Sequence, residues 1–100
     1  MPAAAPTGVL DRAWDVSPGV SVRPESFGAL LYHFGTRRLS FLKDRRLLDV
    51  VQRLPECASA REACLSAGLR PDELPAYARA LSTLVDTSML VERDRSKERL

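Results

Sequence analysis

Three side chains in this sequence are of types that often carry out chemistry: His33, Cys57 and Cys64. His33 is the only histidine, and a lone histidine on a strand is usually a surface or half-buried residue rather than a general base. The two cysteines lie seven residues apart with no partnering histidine or cysteine, a spacing that matches no zinc or iron–sulfur motif. We therefore predict no catalytic site, no metal site and no cofactor, and we expect that the chain is not an enzyme.

Basic side chains are concentrated in one stretch of ten residues. They are Arg37, Arg38, Lys43, Arg45 and Arg46, with Asp44 as the single acid among them. One interpretation is a solvated turn beside an edge strand that its charges protect from aggregation. The other is a basic rim beside an open strand, to which an extended acidic peptide could add as a further strand.

A winged-helix DNA-binding protein is the alternative function, because residues 58–88 could form a helix-turn-helix pair. A recognition helix presents basic or amide side chains to phosphates and base edges. Residues 71–89 carry one basic side chain, Arg79, and the acids of that segment are Asp72, Glu73 and Asp86. Because such a helix would repel phosphates, we predict no nucleic-acid partner.

Three short strands are predicted before the helices, at about residues 20–23, 28–34 and 38–43, the first of them ended by Pro24. Alternation places the largest apolar side chains on one face of the hairpin formed by the last two strands: Leu30, Tyr32, Phe34, Leu39 and Phe41. The opposite face is mixed, and we expect it to be half covered. It carries Leu31, His33, Ser40 and Leu42.

Three helices are predicted after the hairpin. Asp44 would cap the first, which carries apolar residues at three-to-four spacing as far as Leu54. Ser59 opens a capping box for the second helix, which Gly68 ends. The third occupies residues 71–89, with its regular part beginning near Leu74 because Pro75 lacks an amide proton.

The length and composition predict a single folded domain. The chain has 100 residues, a net charge of +2 and 45% hydrophobic residues, which favours a folded protein without demanding an anionic partner. There is no signal peptide and no run of 18 apolar residues, so we expect a cytoplasmic protein with no membrane partner. We expect the domain at 13–91, between a disordered N-terminus at 1–12 and a disordered charged tail at 92–100.

Two segments of the sequence resemble a known family. WDVSPGVSVRPE at 14–25 and FGALLYHFGTRRLSFLKDRRLLDVV at 27–51 closely resemble the precursor-peptide chaperones of mycofactocin biosynthesis, which are PqqD-like RiPP recognition elements. The resemblance covers about residues 14–90 and is most specific over 14–48. It implies an α+β, winged-helix-like domain of three short antiparallel strands followed by three helices, the same order that the residues predict.

The resemblance also implies a function and a site. Members of the family are non-catalytic adaptors that bind the leader of a ribosomally made precursor peptide and present it to a radical S-adenosylmethionine maturase, which holds the cofactors. They bind the leader as an extra strand between the third strand and the third helix. Carried onto this chain, the peptide-binding residues are Arg38, Leu39, Ser40, Phe41, Leu42 and Lys43 on the strand and Tyr77, Leu81 and Leu84 on the helix. For Phe41 and Leu81, core packing is an equally good interpretation.

Overall fold

The structure is a computed structural model that describes residues 7–93. In chain order its elements are α1 (Thr7–Leu10), β1 (Trp14–Val16), β2 (Val20–Glu25), β3 (Gly28–His33), β4 (Arg38–Leu42), α2 (Arg45–Arg53), α3 (Ala60–Ser66), α4 (Leu74–Asp86) and β5 (Leu90–Glu92). Two single 3-10 turns, Leu54–Glu56 and Pro71–Glu73, precede α3 and α4. The predicted α+β class is confirmed, and the arrangement is compatible with a winged helix.

The main sheet is antiparallel and has the order β2-β3-β4, which leaves β4 at one edge. Leu30 lies opposite Phe41, and Tyr32 lies opposite Leu39. Strand β2 continues through Pro24, so the prediction that this proline ends the strand is wrong. Strand β2 forms the other edge of the sheet. A proline is tolerated there when its nitrogen faces away from the neighbouring strand, because no ladder hydrogen bond is then lost.

The two faces of this sheet are buried in the opposite way to the prediction. The face expected to be half covered is the core face, where Leu31 and Leu42 are almost completely buried. The aromatic face is turned to solvent, and Phe41 on it is 56% exposed. The small side chain of Ala29 explains why this face is the buried one, because it lets helix α2 approach β3 closely.

The predicted helix boundaries are largely confirmed. Asp44 accepts a hydrogen bond from the Arg46 amide (2.8 Å) at the start of α2, and Ser59 accepts one from the Glu62 amide (3.2 Å) at the start of α3. The helices cover the core face of the sheet with buried side chains, among them Val50, Val51, Ala60, Ala63, Cys64, Ala78 and Leu81. None of the helices within residues 7–93 is both long enough and apolar enough to cross a bilayer.

The described structure includes residues on both sides of the predicted domain at 13–91, namely 7–12 and 92–93. Val9 and Leu10 are buried, and the Trp14 indole donates a hydrogen bond to the Val9 carbonyl (2.9 Å). At the other end β5 pairs with β1, and the Arg93 guanidinium donates to the Leu54 carbonyl (2.8 Å). Two apolar residues are too few to produce a sequence pattern, so α1 was not predicted. The expected disorder of residues 1–6 and 94–100 lies outside the described residues.

Candidate functional site

An open groove with a volume of about 470 Å³ lies between the free edge of β4 and helix α4. Its lining is mostly apolar and comes from three elements. The lining residues are Leu39, Ser40, Phe41, Leu42 and Lys43 from β4 and the residue after it, Leu47 from α2, and Ala80, Thr83 and Leu84 from α4. The groove therefore runs along a strand whose outer edge no other strand covers within residues 7–93.

The direction of the main-chain groups along β4 follows from the sheet register. The Phe34 amide donates to the Gly19 carbonyl (2.9 Å), so these two residues form a hydrogen-bonded pair between the ends of β2 and β3. Because main-chain direction alternates along a strand, the β3 residues that face β4 are Ala29, Leu31 and His33. Their partners include Ser40, whose amide is used inside the sheet. Leu39 and Phe41 therefore direct their N–H and C=O groups at the groove.

The structure brings most of the predicted peptide-binding residues together. Leu39, Ser40, Phe41, Leu42, Lys43 and Leu84 all line the groove. Arg38 begins β4 but does not line the groove, and Leu81 is completely buried in the core. Core packing is thus the role that the structure assigns to Leu81, and the same holds for most of the Leu42 side chain, which is 1% exposed.

Three lining residues were not predicted from the sequence: Leu47, Ala80 and Thr83. The prediction selected the largest apolar residues of the third helix, whereas a groove forms where side chains are small. A usable signal was present, because Ala80 and Leu84 are four residues apart and therefore share a helix face. In this chain, the small side chain of Ala80, one turn before the buried Leu84, leaves space on the face of α4 that lines the groove.

Tyr77, a predicted peptide-binding residue, does not line the groove; its hydroxyl bonds instead to the residue that caps α2. Its hydroxyl donates a hydrogen bond to Asp44 Oδ2, while Asp44 Oδ1 accepts the Arg46 amide that caps α2. Partial burial, and then the hydrogen bond to Asp44, raise the pKa of Tyr77 to about 12, so the hydroxyl is protonated at neutral pH. One carboxylate thus caps α2 and links α2 to α4.

Basic side chains that pair with no acid among residues 7–93 lie beside the groove. Arg37, Arg38 and Lys43 are exposed, and none of them takes part in an ion pair with the described residues. Arg46 is different, because its guanidinium holds both carboxylate oxygens of Glu73 at 3.1 Å. A hydrogen bond from the Arg70 amide, and then the charge of Arg46, lower the pKa of Glu73. The free positive charges therefore lie at the two ends of β4.

His33 has a structural role in the β3–β4 turn. Its Nδ1 accepts hydrogen bonds from the amides of Gly35 (3.0 Å) and Thr36 (3.2 Å), and its Nε2 lies 3.3 Å from the Ser17 hydroxyl. Since Nδ1 accepts two N–H groups, the ring proton is on Nε2 and can be donated to Ser17. Both ring nitrogens are occupied in shaping the turn that leads into β4.

The two cysteines lie away from the groove and are not activated. Cys64 is completely buried, and burial raises the pKa of its thiol to about 11. Partial burial also raises the pKa of Cys57. A thiol with a raised pKa is a poor nucleophile at neutral pH. Within residues 7–93, no three metal-ligating side chains are grouped so that they could hold an ion.

Comparisons with known proteins identify the class to which the chain belongs. The sequence model of the peptide chaperone MftB family matches residues 13–91. The chain is 54% identical over 83 residues to the peptide chaperone MftB of Mycobacterium tuberculosis, covering 83% of this chain and 76% of that protein. It is 50% identical over 94 residues to the protein of the same name from Mycobacterium ulcerans, covering 92% and 86%. No solved structure matches the chain.

These matches first define a class: the chain is a peptide chaperone, and this class is non-catalytic, as predicted from the residues of the chain. More particularly, the chain belongs to the peptide chaperone MftB family. The family agrees with the place in mycofactocin biosynthesis that the resemblance implied.

Proposed function

We propose that this chain binds the leader of a ribosomally synthesised precursor peptide in the groove between β4 and α4. The observation that carries the proposal is the open edge of β4, with the main-chain groups of Leu39 and Phe41 directed at the groove. An extended peptide satisfies such groups by adding as a strand. Membership of a peptide chaperone family supports this choice of ligand.

The groove favours an extended peptide with apolar and acidic residues. The main-chain hydrogen bonds are independent of sequence, so selectivity comes from the side chains that alternate along the bound strand. Those on the core side would meet Leu47, Ala80 and Leu84, which accept apolar groups. Acidic residues at the ends of the strand would meet Arg38 or Lys43, which are exposed.

We further propose that the chain presents the bound precursor to a separate radical S-adenosylmethionine maturase. The sites of His33, Cys57 and Cys64 supply no activated group, which supports assigning any modification of the bound peptide to a partner. The partner itself is proposed from the resemblance to RiPP recognition elements. A cytoplasmic location is part of the same proposal, since it is where the precursor would be made.

Nucleic acid is not among the proposed partners. Helix α4, which would be the recognition helix, carries Arg79 and Asp86, and Glu73 and Asp72 lie directly before it. Two acids therefore lie just ahead of the N-terminal end of this helix, where a DNA-binding helix presents basic or amide groups. Titration of a labelled duplex at low salt tests this, and saturable, sequence-selective binding would contradict the adaptor role.

A pair of variants on α4 tests the groove. Thr83→Arg places a long side chain in the groove, whereas Asp86→Arg changes the flank of α4 that faces the cavity beside Gly8 and Trp14. We expect Thr83→Arg to weaken binding of the synthetic full-length precursor roughly tenfold or more, measured by fluorescence anisotropy. Asp86→Arg should bind as the unchanged chain does, although it adds more positive charge. Equal affinities for all three proteins would show that the groove is not the site.

The adaptor role is tested by reconstitution. The precursor and the maturase are mixed with the unchanged chain, with Thr83→Arg or with neither, and modification of the precursor is followed by mass spectrometry. We expect the unchanged chain to stimulate modification and Thr83→Arg to do so far less. If modification proceeds equally in all three reactions, presentation by this chain is not required.

A further inference from the structure

The solvent face of the main sheet carries two side-chain rows that stop abruptly at β4. Arg23, Leu30 and Phe41 form one row across the three strands. Ser21, Tyr32 and Leu39 form the other. Leu30 and Tyr32, which have a neighbour on each side, are half-buried, whereas Leu39 and Phe41 at the ends are 52% and 56% exposed.

We propose that the leader peptide covers this second surface as well as the groove. The proposal rests on the proposed function, because it takes the leader to be the strand that adds to β4. Side chains of a strand point alternately to the two faces of its sheet. Two leader residues, two positions apart, would therefore fall on the solvent face and continue the rows that end at Phe41 and Leu39.

The surroundings of Phe41 favour a large apolar side chain at one of these positions. Phe27 is 47% exposed and lies beside Phe41, with their ring centroids 6.4 Å apart. Cross-strand neighbours on one face have their Cβ atoms about 4.5–5.5 Å apart, so a leader residue opposite Phe41 would be within reach of both rings. The leader is thus recognised as a segment that is apolar on both faces, not only on the side that enters the groove.

The size of this surface argues for the leader rather than a second copy of the chain. Three strands of about six residues present a face of roughly 14 Å by 20 Å, or about 280 Å², from standard strand spacing and rise. A stable protein–protein interface takes about 800 Å² from each partner. Among the apolar side chains of the two rows, the most exposed are Leu39 and Phe41 on β4. They lie along the strand that a bound peptide would flank, so an occupant the width of one strand would cover them.

Two substitutions at the row ends test the proposal against a control on the same face. Leu39→Thr and Phe41→Thr remove apolar surface while keeping a residue that suits strands. Phe34 is 64% exposed but lies in the turn beyond β3, so Phe34→Thr is the control. With the synthetic full-length precursor as the probe, we expect Leu39→Thr and Phe41→Thr each to weaken binding roughly three- to tenfold. Phe34→Thr should change the affinity less than about twofold.

The outcomes separate this proposal from the proposed function. If Thr83→Arg abolishes binding while Leu39→Thr and Phe41→Thr bind normally, the groove holds the leader and the solvent-face surface does not. If Thr83→Arg also binds normally, the proposed function itself fails. Suppose instead that Leu39→Thr or Phe41→Thr keeps its affinity for the precursor. Weaker binding to the maturase would then assign the surface to the maturase, and a change in the mass of the protein in sedimentation would assign it to a second copy of the chain. Either result overturns the proposal.

A spectroscopic measurement supplies an independent readout. In the complex of the unchanged chain with the synthetic precursor, we expect intermolecular nuclear Overhauser effects from the Phe41 ring to apolar side chains of the leader. The Phe34 ring should give none. If the Phe41 ring gives none either, while Ala80 and Leu84 give contacts to the peptide, the leader touches the core side alone and the proposal is wrong.

Discussion

Gly28 lies directly against the main-chain carbonyl of Leu42, where β3 begins beside the end of β4. A β carbon on residue 28 would come within 2.0 Å of the Leu42 oxygen, and the φ angle of Gly28 is 153°. L-residues with a side chain rarely adopt that angle, so both the space and the backbone conformation require glycine. This close approach holds the C-terminal part of β4 in place, and with it one end of the groove.

Gly28→Ala should therefore be strongly destabilising. The new methyl group must displace main-chain atoms of Leu42, and we expect a loss of about 3 kcal/mol or more in the free energy of unfolding, in the range of severe backbone strain. Gly8 is a matched control, because nothing lies within 4 Å of a β carbon built there. Urea unfolding of both variants checks the prediction, which fails if Gly28→Ala unfolds at the same midpoint as Gly8→Ala.

Leu81→Ala should reduce stability without defining a peptide contact. The sequence left leader contact and core packing open for Leu81, and its side chain is completely buried in the core. Truncating a buried leucine leaves a cavity, so we expect a loss of about 2–5 kcal/mol in the free energy of unfolding. Leu65→Ala, at a residue that is 46% exposed, should cost far less. Precursor affinity measured well below the unfolding temperature should be nearly unchanged, and a large loss there would restore Leu81 as a contact residue.

Tyr77→Phe should remove part of the alkaline unfolding of the chain. The pKa of Tyr77 is raised from 10.0 to about 12 in the folded state, so the unfolded chain loses this proton first as the pH rises. The free energy of unfolding therefore falls between about pH 10 and pH 12. The difference in this free energy between the unchanged chain and Tyr77→Phe should shrink over that interval. Cys64 titrates in both proteins and cancels, and a pH-independent difference would contradict the prediction.

Local signals in the sequence predicted the elements that frame the groove. Asp44 and Ser59 cap helices because their side chains accept free amides of the first turn, which depends only on nearby residues. Alternation found the hairpin, and Pro75 correctly moved the start of α4 to Leu74. These features are predictable because each is decided within about four residues of chain.

The buried face of the sheet was not predictable in the same way. Periodicity separates Leu31 and Leu42 from Leu30 and Phe41 but does not say which set meets the helices. The larger, more aromatic set is the exposed one here, because the core is filled by helices that approach a face with a small residue such as Ala29. Packing between elements that are distant in the sequence decides which face of the sheet is buried. The same packing determines how much space is left at the groove.

Reversing the charges of Arg37 and Arg38 together, by replacing both with glutamate, should weaken precursor binding in a salt-dependent way. Both side chains are exposed at the start of β4, where they would attract acidic leader residues. Exposed charges contribute little, so we expect a loss of about 1 kcal/mol or less at low salt, shrinking as salt is added. Reversing Arg12 and Arg61, which pair with Glu92 and Asp11, changes the net charge equally and is the control. A loss that persists at high salt would indicate a direct, desolvated contact instead.

A proline scan of β4 tests strand addition most directly, because proline removes one amide proton. Leu39 and Phe41 point their amides at the groove, whereas Ser40 and Leu42 point theirs at β3. We expect Leu39→Pro and Phe41→Pro to keep most of the fold and lose precursor affinity. Ser40→Pro and Leu42→Pro should break ladder hydrogen bonds and lower the unfolding temperature.

Calorimetry with the synthetic full-length precursor measures the affinity, and thermal unfolding measures the fold of the same four variants. Amide exchange of the unchanged chain provides the matching observation. In β4, the Leu39 and Phe41 amides should exchange quickly when free and slowly when bound, while that of Ser40 is protected in both states because it bonds to β3. Protection on binding that appears only outside residues 38–43 would rule out strand addition, however tight the complex is.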